Sequence, residues 1–177
     1  MMLPSIALYQ PDIAGNTGTI LRLGACLGLS VEIIEPAGFD LSDRNLKRAG
    51  MDYLELATLT RHVDFAAFDA ARRASGRRLV LLTTKAETGY CDLAYQPGDI
   101  LLFGRESAGV PPAVHDLADE TATIPMRPGA RSLNLAVSVA MVAGEVMRQR
   151  AWPPASANAH PRSGSAPFSR PRADGAS

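Results

Sequence analysis

The chain has 177 residues, of which 46% are hydrophobic, and its 18 basic and 18 acidic residues give a net charge of zero. This size and composition are typical of one globular domain with a sizeable core, and the neutral charge gives no general sign of nucleic-acid binding. Two cysteines are too few for the disulfide framework of a small secreted protein. Because the sequence contains neither a membrane-spanning apolar run nor a signal peptide, we expect a cytoplasmic protein without membrane contact.

The first half of the chain alternates between predicted strands and helices. Residues 5–10 form an apolar run typical of a buried strand, and Pro11 ends it. A helix with an apolar face follows as far as Gly28, and residues 31–35 predict the next strand. A short basic helix at 42–50 and a strand at 53–56 come next, before a helix that Asp64 can cap.

The second half continues this alternation and ends in a different composition. Apolar runs predict strands at 78–84, 99–103 and 122–124, and residues 133–150 have the spacing of a long final helix. We therefore predict an α/β fold with a mostly parallel sheet and helices on both faces. One folded domain is predicted over residues 1–152, and the segment 153–177, rich in proline, alanine and serine, is predicted to be disordered.

Three segments place small or polar residues at the ends of apolar runs, where α/β proteins bind ligands. They are residues 16–22, residues 102–111, and residues 124–126 together with 132–135. In the second segment, Gly104 allows a close approach to the backbone and Glu106 adds a carboxylate at the end of a strand. Since the chain has neither a G-x-G-x-x-G nor a Walker motif, a ligand such as adenine fits better than a diphosphate. A simple tight turn is the alternative.

Four polar side chains in these segments allow two interpretations each: two roles for three of them, and two partners for Arg22. Asn16, Ser132 and Asn134 stand near predicted helix starts, where they can cap the helix or face a ligand. Arg22 lies among apolar neighbours in the first helix, so its charge needs an anionic partner. Glu106 and an RNA phosphate are the two candidates.

The other residues with reactive or charged side chains have mainly structural interpretations. The basic clusters at 44–48 and 72–78 can contact phosphates or form solvated helix faces. Cys26 is predicted to be a small core residue. His62 and His115 are predicted at the surface or at helix ends, and because neither has Cys or His partners at ligand spacing, we predict no metal site.

Taken in order, these segments resemble one known family. The chain resembles the SPOUT superfamily of RNA methyltransferases, in its SpoU branch, through the three segments and through residues 9–13, 34–39, 47–53 and 82–85. Within that branch it is similar to the small tRNA ribose 2′-O-methyltransferases. The resemblance implies methylation of the wobble nucleotide, a cytidine or a modified uridine, in the anticodon loop of leucine tRNAs. The alternatives are the same chemistry on another tRNA or rRNA nucleotide, and a knotted RNA-binding protein without catalysis.

The resemblance also implies a deep C-terminal trefoil knot, which is an exception to the usual unknotted topology, and a homodimer. It implies that residues 1–152 are the methyltransferase domain. S-adenosyl-L-methionine, which becomes S-adenosyl-L-homocysteine, is expected to bind in the knot without a metal, against Leu82, Thr83, Gly104, Glu106, Ile124, Met126, Ser132 and Leu133. The expected catalytic residues are Arg22, Asn16, Ser132 and Asn134, with Arg22 reaching the active site of the partner subunit. The chain departs from the family pattern at Arg105, where proline is common, and on the final helix at Ala136, Val137 and Gly144.

Overall fold

The computed structural model describes residues 3–41 and 57–150. Within these ranges, six strands form one sheet in the order β3-β2-β1-β5-β4-β6, and each neighbouring pair is parallel. The strands are β1 (Ser5–Tyr9), β2 (Ser30–Ile34), β3 (Leu59–His62), β4 (Leu79–Leu82), β5 (Ile100–Phe103) and β6 (Glu120–Ala122). The helices are α1 (Ala14–Leu27), α2 (Phe65–Ser75), α3 (Pro112–His115) and α4 (Leu135–Gln149). The predicted α/β fold is confirmed, and every paired strand is parallel.

The sheet has a hydrophobic layer on each face. Successive side chains of a strand point to opposite faces, so Ile6 and Leu8 of β1 pack with α1 and α4, whereas Ala7 and Tyr9 belong to the layer that contains Phe68 of α2. Burial of both faces explains why the central strands are almost continuously apolar. As predicted, helices cover both faces.

Local sequence signals explain how several elements begin and end. Gly28 ends α1 in the left-handed conformation with φ of 70°, which glycine adopts without steric cost. The Asp64 carboxylate caps α2 by accepting a hydrogen bond from the Ala67 amide at 2.8 Å. Both features were predicted from the sequence. β1 ends at Tyr9, and the next residue, Gln10, has an uncommon positive φ of 45° and turns the chain towards α1.

Two elements were not predicted. β3 is an edge strand whose residues are partly or fully exposed, so it lacks the apolar run that indicates a buried strand. α3 has only four residues and follows Pro111, and so short a segment has no helical periodicity to detect. The predicted helix at 42–50, the strand at 53–56 and the tail at 153–177 lie outside the described residues.

Two predictions about single side chains are wrong. Cys26 is exposed, because Ile20, Leu21 and Gly24 occupy the face of α1 that turns towards the sheet. His62 is not a surface residue: its side chain is 10% exposed, and its Nε2 atom lies 3.0 Å from a carboxylate oxygen of Glu32. The sequence could not reveal this pair because it depends on the register between β2 and β3.

Three arginines of the basic cluster at 72–78 form neither a solvated face nor an open phosphate site, whereas Arg73 is 60% exposed and pairs with Asp69 at 2.7 Å. Arg72 pairs with Asp69 and Asp119 at 2.8 Å each. Arg78 pairs with the buried Asp99 at 2.8 Å, and Arg77 donates to Ser5 and lies 3.3 Å from a carboxylate oxygen of Glu32. These arginines are therefore engaged by carboxylates of the same chain. The second cluster, at 44–48, lies outside the described residues.

A search of the described helices finds none that is both long enough and apolar enough to cross a membrane.

Candidate functional site

A cavity of about 580 Å³ lies where the carboxyl ends of β4 and β5 meet the segment that leads into α4. Parallel strands end at a common edge of the sheet, so loops that are far apart in sequence meet there. The predicted site residues that line this cavity are Asn16, Leu82, Thr83, Gly104, Glu106, Ile124, Met126, Ser132, Leu133 and Asn134. Arg22 is exposed on α1 and does not line the cavity, so within one chain it stands apart from the other predicted residues.

A chain of hydrogen bonds joins three polar side chains of the cavity wall. The Asn16 side-chain amide donates to Glu106 Oε1 at 3.1 Å, and the Asn134 amide donates to Asn16 Oδ1 at 2.9 Å. Asn134 Oδ1 then accepts from the backbone amides of Ala136 and Val137 at the start of α4. Each amide thus has a defined orientation, set by a carboxylate at one end and by helix amides at the other.

These hydrogen bonds decide between the two roles, helix cap and ligand contact, that the sequence left open for the two asparagines. Asn16 is not the cap of α1, because the residue at the cap position is Ile13 and Asn16 lies inside the first turn. Its side chain is therefore available to the cavity. Asn134 has both roles: its oxygen caps α4 and its amide nitrogen reaches Asn16. Ser132 lines the cavity just before the helix.

Glycine at position 104 is required by the loop itself. Arg105 and Gly109 exchange backbone hydrogen bonds of 3.0 and 2.9 Å, which fold residues 105–109 back over Gly104. A Cβ atom on Gly104 would lie 2.5 Å from the carbonyl carbon of Gly109. The group that approaches Gly104 closely is therefore the backbone of its own loop. The sequence predicted a close approach but did not identify the partner.

Asp12 is the residue that the sequence analysis missed. Its Oδ1 atom accepts hydrogen bonds from Arg105 Nε at 3.1 Å and from Nη2, and its Oδ2 atom accepts from the Ser107 amide and hydroxyl at 3.1 and 2.6 Å. Hydrogen bonds from Arg105 and Ser107 lower the pKa of the Asp12 carboxyl from its ordinary 3.8 to about 2. No sequence pattern around Asp12 predicts a hydrogen-bond partner 93 residues away.

This pKa shift predicts a specific pH dependence of stability. Because the pKa of Asp12 is lower in the folded chain than in the unfolded chain, its contribution to folding is complete above about pH 5 and is lost as the pH falls towards 2. We expect the difference in free energy of unfolding between wild type and Asp12→Asn, measured by urea titration, to shrink over that interval. A difference that stays constant with pH would contradict the assignment.

No group of three or more His, Cys, Asp or Glu side chains that could hold a metal ion occurs among residues 3–41 and 57–150.

An all-parallel α/β sheet with a small-molecule cavity at the carboxyl ends of its strands defines a ligand-binding α/β protein. The sequence profile of the SpoU rRNA methylase family matches residues 4–144, and the chain belongs to this family. The resemblance inferred from the sequence is thereby confirmed. A relative from Beijerinckia indica, a tRNA (cytidine(34)-2′-O)-methyltransferase, is 62% identical over 144 residues, which cover 81% of this chain and 90% of the relative.

Solved structures agree with the assignment of the chain to the SpoU family. One that concerns the 2-OH methylation of C/U34 on tRNA is 41% identical, with a TM-score of 0.80, and the match covers 85% of this chain and 97% of that one. The SpoU methyltransferase AviRb from Streptomyces viridochromogenes, in complex with the cofactor AdoMet, is 29% identical with a TM-score of 0.74. That match covers 85% of this chain and 58% of AviRb.

Proposed function

We propose that this protein methylates the ribose 2′-hydroxyl of the wobble nucleotide, a cytidine or a modified uridine, in the anticodon loop of leucine tRNAs, with S-adenosylmethionine as methyl donor. The observation that carries the proposal is the 62% identity to a tRNA (cytidine(34)-2′-O)-methyltransferase across 90% of that relative's length. The leucine tRNAs come from the family resemblance alone.

The cavity has the properties that this donor requires. Its volume of about 580 Å³ suits a nucleoside-sized ligand. Leu82, Ile124 and Leu133 supply apolar walls, while Glu106 and Ser132 supply polar groups. The AdoMet complex of AviRb supports the same use of the fold. When bound, S-adenosylmethionine supplies a methyl group on a positively charged sulfur and leaves as S-adenosylhomocysteine.

The protein's task is to align the ribose and to handle one proton. Transfer forms the bond between the 2′-oxygen and the methyl carbon, breaks the carbon–sulfur bond, and releases the hydroxyl proton. We assign Ser132, Asn134 and Asn16 to positioning the ribose at the cavity wall. Arg22 holds the adjacent phosphate and stabilises the negative charge that develops on the 2′-oxygen. Because arginine is always protonated, the proton leaves through the phosphate or water.

A homodimer is part of this proposal, since Arg22 does not line the cavity of its own chain. The exposed apolar side chains of Val137 and Met141 lie one turn apart on α4, and the exposed Leu133 lies at the cavity just before this helix. Burial of these side chains against a second copy would bring α1 of one subunit towards the cavity of the other.

A trefoil knot in the C-terminal part is also proposed. The segment after β6 runs along the connection between β4 and β5, because Thr123 bonds through its backbone to both Thr88 and Tyr90. At the far end of α4, the Gln149 side chain bonds to the backbone of Leu93 and Tyr95 in the same connection. These contacts hold residues 123–149 against that connection, as a chain passing through it requires.

Further parts of the proposal concern the extent of the domain and its setting. We propose that residues 1–152 are the methyltransferase domain, which the family match over 4–144 supports. The reaction is proposed to need no metal. A cytoplasmic location is expected for an enzyme that modifies tRNA.

The decisive experiment is incubation of the full chain with radiolabelled methyl donor and tRNA that lacks ribose methylation, followed by mapping of the labelled nucleotide. Label on the wobble ribose of leucine tRNAs is the expected result. Label on another tRNA position or on rRNA would favour the alternative substrate, and donor binding without transfer would favour a non-catalytic RNA-binding protein. The same assay on a chain ending at Trp152 tests the tail.

A further inference from the structure

Asp12 lies outside the cavity but contacts three consecutive residues that line it. Its carboxylate accepts two hydrogen bonds from Arg105 and two from Ser107, and its backbone amide donates to Glu106 Oε2 at 2.8 Å. Arg105, Glu106 and Ser107 all belong to the cavity wall, whereas Asp12 does not. One residue in the turn before α1 thus holds the central part of the loop that follows β5.

The position of Asp12 explains why it can hold that loop. β1 and β5 are neighbours in the sheet, so the turn after β1 and the loop after β5 emerge side by side. Arg105 also reaches this turn through Gln10, whose side-chain oxygen lies 3.4 Å from Nη1. Ser107 is exposed, and exposed loops are mobile unless such contacts fix them.

The Asp12 carboxylate also determines which partner the Arg105 guanidinium takes. Arg105 is adjacent to Glu106, and the Glu106 charge acts on it as well as that of Asp12. Glu106 Oε1 is the acceptor for Asn16, the first link of the hydrogen-bond chain to Asn134. Without the Asp12 carboxylate, the charge of the adjacent Glu106 still acts on Arg105, and pairing with it would compete with Asn16.

We propose that Asp12 is a positioning residue for methyl-donor binding: it holds Arg105 and Ser107 in the cavity wall and keeps Arg105 from taking Glu106 away from Asn16. This inference rests on the proposed function, in which the cavity accepts S-adenosylmethionine. Asp12 itself does not line the cavity, so it acts through its neighbours.

The test compares S-adenosylmethionine affinity, measured by titration calorimetry, among variants of the full chain. Asp12→Ala is expected to raise Kd about tenfold, because two charge-assisted contacts to the loop are lost. Removing the competing guanidinium as well, in Asp12→Ala/Arg105→Ala, is expected to recover part of that loss, to a Kd about three- to fivefold above wild type, because the contacts to Ser107 stay absent. In steady state, KM for the donor should rise in Asp12→Ala by a larger factor than KM for tRNA, because Asn16 keeps its bond to Asn134.

Asp69→Ala is the matched control. The Asp69 side chain is 14% exposed, close to the 19% of Asp12, and it also accepts from two residues, Arg72 and Arg73. It lies on α2, away from the cavity, so its removal should alter stability and leave donor affinity unchanged. If Asp12→Ala fails to fold, the nearly isosteric Asp12→Asn replaces it, with an expected loss of affinity of about fivefold.

A donor-independent measurement completes the design. Hydrogen exchange of peptides that cover residues 104–109 should be faster in Asp12→Ala than in wild type or Asp69→Ala. Wild-type protein that binds no donor would refute the proposed function. Wild-type binding together with an Asp12→Ala affinity within twofold of it, unchanged exchange in the loop, or no recovery in the double variant would overturn the role of Asp12 alone.

Discussion

Replacing Arg22 by alanine is expected to lower kcat for methyl transfer by about a hundredfold or more, because a charged donor to the developing oxyanion is removed. Affinity for the methyl donor should stay unchanged, since Arg22 is assigned to the RNA phosphate and the 2′-oxygen and not to the donor. Single-turnover kinetics at saturating donor and tRNA measure the first quantity, and calorimetry with donor alone measures the second. An equal loss of methyl-transfer rate and of donor affinity would contradict the assignment of Arg22 to the developing oxyanion.

Arg22→Lys tests the geometry of the contact. Lysine keeps the positive charge but lacks the planar fork that binds a phosphate at two points, so we expect the rate to stay at least about tenfold below wild type. A lysine variant that keeps most of the rate would exclude a need for the fork.

Mixed dimers test whether Arg22 acts on the partner subunit. An Arg22→Ala subunit keeps its own cavity, and a Gly104→Ala subunit keeps its Arg22 but has a distorted cavity wall. If Arg22 acts across the interface, a dimer of the two has one complete site, and mixing two inactive proteins should restore activity. If Arg22 acts within its own chain, neither site is complete and the mixture stays inactive.

Gly104→Ala is expected to weaken binding of the methyl donor by about a hundredfold. The added Cβ would lie 2.5 Å from the carbonyl carbon and 2.6 Å from the Cα atom of Gly109. Both are backbone atoms of a loop that turns at Gly109 with φ of 67°, so the strain can be relieved only by moving residues 105–109. A displacement of the order of 1 Å in a binding wall is enough for an effect of this size.

The matched control for this substitution is Gly15→Ala. Gly15 lies in the first turn of α1, and a Cβ atom there would have no neighbour within 4 Å. Alanine also has the higher helix propensity, so this variant should bind donor normally and unfold at an equal or higher temperature. Calorimetry measures the affinity, and circular dichroism verifies that both variants are folded. Normal affinity in Gly104→Ala would refute the role of the loop.

The sequence predicted part of the cavity wall, because that part follows from where strands end. Gly104 and Ile124 come at the ends of predicted strands, and parallel strands bring such positions together whatever the other details of the fold. Leu82 was expected only through the family resemblance. The helix cap at Asp64 was equally accessible, since capping is local.

Contacts that depend on loop closure or on register could not be predicted in this way. The ion pair between Asp12 and Arg105 needs residues 105–109 to fold back over Gly104, and the pair of His62 and Glu32 needs the register between two strands. Asn16 shows the intermediate case. Its residue type allowed two roles, and only the observed start of α1 at Ala14 distinguishes the cap from the side chain that reaches the cavity.

The bond between Asn16 and Asn134 joins residues 118 positions apart, and the same Asn134 starts the last described helix. During synthesis on a ribosome, the N-terminal strands emerge early, but their half of the cavity has no opposite wall until that helix is released from the exit tunnel. A nascent chain therefore holds no complete pocket before that helix emerges. Donor binding to a nascent chain would thus report that synthesis has passed the start of α4.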